Sequence, residues 1–192
     1  MEIRKCTLED VSQLAVLNKQ LIEDEQSNNP MTVKELEERM SGKCMHIKEY
    51  KNTEQEQNEV LHFLEEVLPE SGRNLDAAAI QQYVKSLEQF EKVWCLYDGS
   101  SLIGTVGIRR LDEINCELKA LYLYSKYHGQ GLGYRLLSTA LEEAKRAGFV
   151  AMYLDTISTS ERAIKLYKSV GFEEIEQYKE TIRSDVFMRK QL

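Results

Sequence analysis

Residues 121–137 read Leu121-Tyr122-Leu123-Tyr124-Ser125-Lys126-Tyr127-His128-Gly129-Gln130-Gly131-Leu132-Gly133-Tyr134-Arg135-Leu136-Leu137. An apolar and aromatic run suited to a strand passes into a turn with glycines at 129, 131 and 133. The turn passes straight into a helical pattern, with Leu136, Leu137, Ala140, Leu141 and Ala144 on one face and Gly148 at the end. Glycines lack a Cβ, so successive backbone N–H groups can converge on one concavity. The first helical turn adds N–H groups without partners and the positive end of a dipole. Such a turn suits a phosphate or pyrophosphate. The lysine and hydroxyl of a P-loop are missing, and glycines on alternate positions do not fit the G-x-G-x-x-G dinucleotide pattern. The same glycines would also serve a turn that only lets strand and helix pack closely.

Working outward, Cys116 to Tyr124 is the strand that feeds the turn, and Gly131 to Ala147 is the helix that leaves it. Val150 to Leu154 reads as the next strand. Ser158 and Glu161 have capping-box spacing for a helix that runs to Val170, ahead of Gly171. Strands over Phe172 to Tyr178 and Asp185 to Arg189 close the chain. Upstream, Val93 to Tyr97 and Leu102 to Ile108 form a hairpin through Asp98-Gly99-Ser100-Ser101. Residues 41–92 read as a helical insertion within a single domain spanning 1–192. Its two amphipathic helices, Glu54 to Leu68 and Asp76 to Phe90, are separated by Pro69, Ser71 and Gly72. At the start, Ile3 to Cys6 is a short strand, Thr7 caps a helix that Asn28-Asn29-Pro30 breaks, and Thr32 to Met40 is a second helix.

The residues now carry a resemblance. His128-Gly129-Gln130-Gly131-Leu132-Gly133 resembles the pyrophosphate loop of the GNAT superfamily of N-acetyltransferases, whose usual pattern is Gln/Arg-x-x-Gly-x-Gly/Ala. His128 departs from that pattern at a position that contributes mostly backbone, and its side chain reads as an exposed loop histidine. Glu117-Leu118-Lys119-Ala120-Leu121-Tyr122-Leu123 is similar to the family's fourth strand, which splays from the fifth and receives the pantetheine arm. Ala163-Ile164-Lys165-Leu166-Tyr167-Lys168-Ser169-Val170-Gly171-Phe172 is similar to its second signature, A-x-x-L-Y-x-x-x-G-F. The likeness covers about residues 1–40 and 93–192, and residues 41–92 have no clear counterpart. It implies a three-layer α/β fold, with a mixed, mostly antiparallel sheet, splayed strands and flanking helices. It also implies acetyl-CoA as cosubstrate and direct transfer of its acetyl group to an amine.

Within that resemblance, the backbone of Leu121, Tyr122 and Leu123 would pair with pantetheine like an added strand. The turn from His128 through Tyr134 would hold the pyrophosphate, and Arg135 could reach a CoA phosphate. Tyr167 stands where the family commonly has the proton donor to the leaving thiolate. With a reference pKa near ~10 a phenol is protonated at neutral pH, although Tyr167 could also simply pack beside Leu166. Glu117 stands where histone-acetylating relatives carry a catalytic glutamate and could take a proton from an ammonium through water. It is one of 32 acidic residues, and strand glutamates are usually solvated.

Bulk composition narrows the partners. The formal net charge is -7, and basic residues are scattered among acids, as in Lys34-Glu35-Leu36-Glu37-Glu38-Arg39. Nucleic acid and anionic membranes are therefore poor partners, and a cationic acceptor is favoured. No stretch is apolar enough to span a bilayer, and Met1 to Cys6 does not resemble a signal peptide. Cys6, Cys44, Cys95 and Cys116 are far apart, which reads as reduced thiols in the cytoplasm, with no zinc or redox motif. His46 and His62 lack partners at ligand spacing, so no metal is expected. The insertion could cap the acceptor pocket or mediate a homodimer. Two further readings stay open: a CoA-binding sensor of the same fold that does not turn over, and a nucleotide binder of another kind. The expected acceptor is an amine of a small molecule or peptide.

Overall fold

The computed structural model describes residues 45–181 and 183–192, together with Val16. The strand expected at Ile3 to Cys6 and the two helices expected before Met40 lie outside these residues, Val16 apart, as do Cys6 and Cys44. Seven strands form one sheet among the described residues: β1 (Met45–Glu49), β2 (Lys92–Asp98), β3 (Ser101–Arg110), β4 (Asn115–Leu123), β5 (Ala151–Thr156), β6 (Glu173–Ile175) and β7 (Val186–Gln191). Their order is β1-β2-β3-β4-β5-β7-β6. β4 and β5 are parallel, while β3–β4, β5–β7 and β6–β7 are antiparallel. The flanking helices are α1 (Glu54–Glu70), α2 (Ala77–Ser86), α3 (Leu132–Arg146) and α4 (Glu161–Ser169). This is the mixed, mostly antiparallel sheet with flanking helices that the sequence implied.

The chain divides into two compact units, Met1–His46 with Tyr97–Ser101, and Ile47–Leu96 with Leu102–Leu192. In the first, the rings of His46 and Tyr97 stack at 5.3 Å, and Gly99 takes the positive φ, 60°, of the turn. The second holds the core. Leu136, Leu137, Ala140 and Ala144 of α3 are fully buried, as are Cys116, Ala151, Met152 and Met188 of the sheet. α3 lies so close that a methyl at Gly104 would sit 3.0 Å from Leu136 Cδ1 and from the Tyr122 carbonyl.

Local chemistry fixes the helix starts. Thr53 and Glu56 form a capping box for α1: Glu56 N–H donates to Thr53 Oγ1 and Thr53 N–H to Glu56 Oε2. Asp76 Oδ1 accepts from Ala79 N–H at 2.7 Å and starts α2. The capping box expected from Ser158 and Glu161 is not formed. Ser158 instead donates its N–H and its Oγ–H, each at 2.7 Å, to the carboxylate of Asp185, which holds it away from the helix start. α4 therefore begins after Ser160 with no side-chain cap. The segment read as a helical insertion also carries a strand, β1, at one edge of the sheet. Met45-His46-Ile47-Lys48-Glu49 alternates half-buried and exposed residues, but the run is short and only Met45 and Ile47 are apolar.

The feature that shapes the site lies in β4. Between the pairs Thr105↔Tyr122 and Gly107↔Lys119 the register shifts, so β4 carries one residue more than β3. Within this bulge Ala120 takes φ 54°, and Thr105 Oγ1 donates to its carbonyl at 2.7 Å. A bulge bends and twists its strand. β4 accordingly pairs with β5 only through Asn115↔Ala151, Cys116↔Met152 and Glu117↔Tyr153, after which the two part. Replacing Thr105 by Val removes the donor and leaves a buried carbonyl unpaired, which costs about 1–3 kcal/mol. Urea unfolding of Thr105→Val should show that loss.

Candidate active site

The glycine turn opens directly beyond β4. Gly129 has φ 79° and Gly131 φ 75°, a conformation that disfavours side-chain-bearing residues. A Cβ at either would meet nothing within 4 Å, so the backbone there faces open space. At Gly133, by contrast, a Cβ would touch Leu166 at 3.4 Å. Two glycines thus serve the turn and one the packing of α3 on α4. α3 starts on Gly131 with no side-chain cap, and its first bond is Arg135 N–H to Gly131 O. Helix geometry then leaves the N–H groups of Leu132, Gly133 and Tyr134 without an acceptor inside the helix. This cradle fits an anion.

His128 is not the loose loop residue its position suggests. It is half-buried, with Nε2 3.0 Å from the Leu123 carbonyl, so Nε2 carries the donated proton. Nδ1 then accepts from Arg162 at 2.6 Å. The ring ties the turn to the end of β4 and holds the Arg162 guanidinium beside the cradle.

The edge of β4 past the bulge faces the gap. Tyr124 N–H donates to the Ile103 carbonyl of β3. Backbone direction alternates along a strand, so Tyr122 also faces β3 while Leu121 and Leu123 face the side that β5 has left. His128 occupies the Leu123 carbonyl, which leaves the Leu121 amide and carbonyl and the Leu123 amide on that edge.

A cluster of phenols adjoins it. Arg73, in the loop after α1, donates to the Tyr122 hydroxyl at 2.6 Å, and the Tyr83 phenol of α2, pushed up chiefly by burial, also feels Tyr122. Burial pushes the Tyr167 hydroxyl well above its usual pKa, with Tyr122 and Arg73 the next influences. The Tyr167 ring stands edge-on to Phe172 at 5.9 Å, and its carbonyl accepts from Phe172 N–H where α4 ends. Sequence reasoning missed Arg73 and Tyr83. Both lie in the segment read as an insertion, and only the tertiary fold brings them to β4.

Glu117 sits where β4 and β5 part, and it is fully buried, not solvated. It accepts from Arg109 at 2.6 Å, from Tyr178 at 2.5 Å, and from Lys179. Across the gap Asp155 of β5 accepts from Lys119, Lys179 and Ser184, each at 2.5 Å. Burial alone would raise both carboxyls. For Glu117 the charge of Lys119 and the bonds from Lys179 and Tyr178 outweigh it, and for Asp155 the bonds from Lys119, Lys179 and Ser184 do the same. Both are held below the usual carboxylate range. Of the expected site residues, the strand edge 121–123, the turn 128–135 and Tyr167 surround the gap, and Glu117 stands at its closed end within a five-charge cluster.

Residues 48–172 match the acetyltransferase (GNAT) family. The chain is 34% identical over 86 residues to YjgM of Escherichia coli, described as an uncharacterized N-acetyltransferase, which covers 43% of this chain and 52% of that protein. It thus spans about half the length of the first curated relatives it matches. Among solved structures, an acetyltransferase of Streptococcus agalactiae superposes with TM-score 0.69 at 22% identity, covering 78% of this chain and 99% of that one. YncA of Salmonella typhimurium, with its cofactor acetyl-CoA, superposes with TM-score 0.57 at 19% identity, covering 77% and 94%. At these identities the structures speak for the fold.

The depressed carboxyls have a consequence in acid. In the unfolded chain they bind protons near pH ~4, and in the folded protein only at lower pH. Their contribution is therefore complete above about pH 5 and is lost as pH falls through ~4 toward the folded values. Asp155→Asn leaves Lys119 and Lys179 short of a counter-charge and should cost about 3 kcal/mol at neutral pH. Unfolding free energies measured from pH 7 to 3 should fall less steeply for this variant than for the native chain.

Proposed function

Since the chain belongs to the acetyltransferase (GNAT) family, we propose that it transfers the acetyl group of acetyl-CoA to an amine of a small molecule or peptide by direct attack. One observation carries the reading: an uncapped glycine turn, an unpaired strand edge and a buried phenol meet at the gap between β4 and β5. Acetyl-CoA supplies the activated acyl group, a thioester with a thiolate as leaving group.

The chain's own residues bind and orient. Backbone N–H groups from Gly129 to Tyr134 take the pyrophosphate, with Arg162, held by His128, as added positive charge. The Leu121 and Leu123 edge takes the pantetheine amides as a neighbouring strand would. The acceptor nitrogen, neutral when it attacks, forms the new C–N bond as the C–S bond breaks. Tyr167, kept protonated by burial, gives its proton to the departing sulfur and regains one from solvent.

Glu117 takes a supporting part. A buried carboxylate bonded to Arg109, Tyr178 and Lys179 has little basicity to spare, so its task is to hold the segment between β6 and β7 against the gap. Water takes the amine proton. A pH–rate profile separates the two roles: loss of the acidic limb in Glu117→Gln would restore it as the base. The buried Cys95 and Cys116, neither of them in a disulfide and the latter's thiol pushed up by burial to about 12, fit the reducing cytoplasm. No helix among the described residues is long and apolar enough to cross a membrane.

Calorimetric titration tests the reading directly. Acetyl-CoA should bind selectively over ATP and NADH, and thiol release should follow when an accepted amine is added. Tyr167→Phe should lower turnover roughly 100-fold or more, with acetyl-CoA affinity little changed. Failure of a folded, CoA-free sample to bind acetyl-CoA would sink the proposal. Binding without turnover on any amine would leave a CoA sensor.

A further inference from the structure

A pocket of about 300 Å³ lies between α2 and the segment joining β6 to β7, walled by Leu75, Ala79, Gln82, Tyr83, Ser86 and Arg183. Its size is at the small end for ligand sites. Leu75, Ala79 and the Tyr83 ring make it largely apolar. Ser86 Oγ already donates to the Tyr83 carbonyl at 2.6 Å. Arg183 is the one charged group among these walls, and none of them is a carboxylate.

Tyr83 connects this pocket to the reaction site. Its side chain lines the pocket, and its phenol lies near enough to Tyr122 to feel it; Tyr122 stands between Leu121 and Leu123 on the proposed pantetheine strand. A molecule in the pocket therefore lies beside the place where the thioester is expected. Arg183 is exposed, yet the chain on both sides of it is fastened. Tyr178 and Lys179 bond to Glu117 and Asp155 before it, and Ser184 and Asp185 bond to Asp155 and Ser158 after it. No carboxylate pairs with the Arg183 guanidinium among the described residues, and the Arg183 backbone N–H donates to Thr181 Oγ1. A planar, permanently charged fork suits a carboxylate, which it can bind through two parallel hydrogen bonds.

Resting on the acetyl-transfer reading, we propose that the acceptor is a small amine that also carries a carboxylate and an apolar stem, an amino acid in chemical class, with Arg183 binding the carboxylate. The stem lies along Leu75, Ala79 and Tyr83, and the amine points toward Tyr122 and Tyr167. This reverses the expectation that an acidic chain favours a cationic acceptor. The net charge of -7 is a property of the whole surface, whereas the pocket wall offers a second cationic group only repulsion.

The test uses matched compounds sharing one apolar stem: leucine, leucinamide and isopentylamine, with a diamine, putrescine, as the cationic alternative. Binding to the CoA-saturated protein is measured by calorimetry, which needs no turnover, and KM is measured where thiol release occurs. Leucine should bind roughly 10- to 100-fold more tightly than its amide or its decarboxylated analogue, the range expected for a hydrogen-bonded charge pair. Arg183→Gln should remove that preference while leaving leucinamide and acetyl-CoA affinities unchanged, and Arg183→Lys should keep part of it. Equal binding of leucine and leucinamide, a preference for putrescine, or an equal effect of Arg183→Gln on all four compounds would overturn the proposal. Loss of acetyl-CoA binding in the native chain would instead strike the transferase reading, and the leucine comparison on the free protein would still decide this one.

Discussion

Ala120 is forced into a left-handed backbone conformation, with its carbonyl fastened by the hydroxyl of Thr105. Almost everything functional follows from that single bulge. Without it β4 would continue alongside β5, and the Leu121 and Leu123 backbone would be consumed by a ladder. With it, the strands part after three pairs. The gap gives an extended molecule an edge to pair with and leads it to the open end of α3. Around that gap the chain assembles groups far apart in sequence: Arg73 and Tyr83 from the first helical pair, Tyr167 from α4, and the segment between β6 and β7.

The two halves of the proposed site are built on different physics. The CoA side is backbone: amides of a glycine turn, a helix start, and a strand edge. Such a surface tolerates varied side chains, which explains how His128 can stand at the first position of the loop. It works through Arg162, which it orients. The acceptor side is made of side chains on α2 and on a tethered segment. There, on the proposed reading, a single guanidinium or phenol would set the specificity.

Legibility in the sequence followed the same division. The glycine turn, the strand before it and the helix after it were readable because backbone geometry leaves a local signature of Gly, β-branched or aromatic residues and apolar spacing. α1 and α2 were readable within a few residues, and Tyr167 lies on the helix that its motif implied. What could not be read depends on contacts distant in sequence. Ser158 has the spacing of a cap, but Asp185, 27 residues on, takes its hydrogen bonds. Glu117 looks like any strand acid until Arg109, Tyr178 and Lys179 are seen around it. β1 is only five residues long with two apolar side chains, Met45 and Ile47, too brief a pattern to stand out, and the bulge at Ala120 has no glycine to mark it.

The cluster of Arg109, Glu117, Lys119, Asp155 and Lys179 spans the point where the strands divide, with a carboxylate on each side and lysine ammonium groups between. Small ions in the surrounding solution weaken attractions between exposed charges, such as the pair of Lys165 and Glu161 on α4, over distances near ~10 Å at moderate salt. They have little access to a carboxylate as enclosed as Glu117. Salt therefore weakens the attraction across the opening between β4 and β5 far less than it weakens the exposed ion pairs on the outer helices.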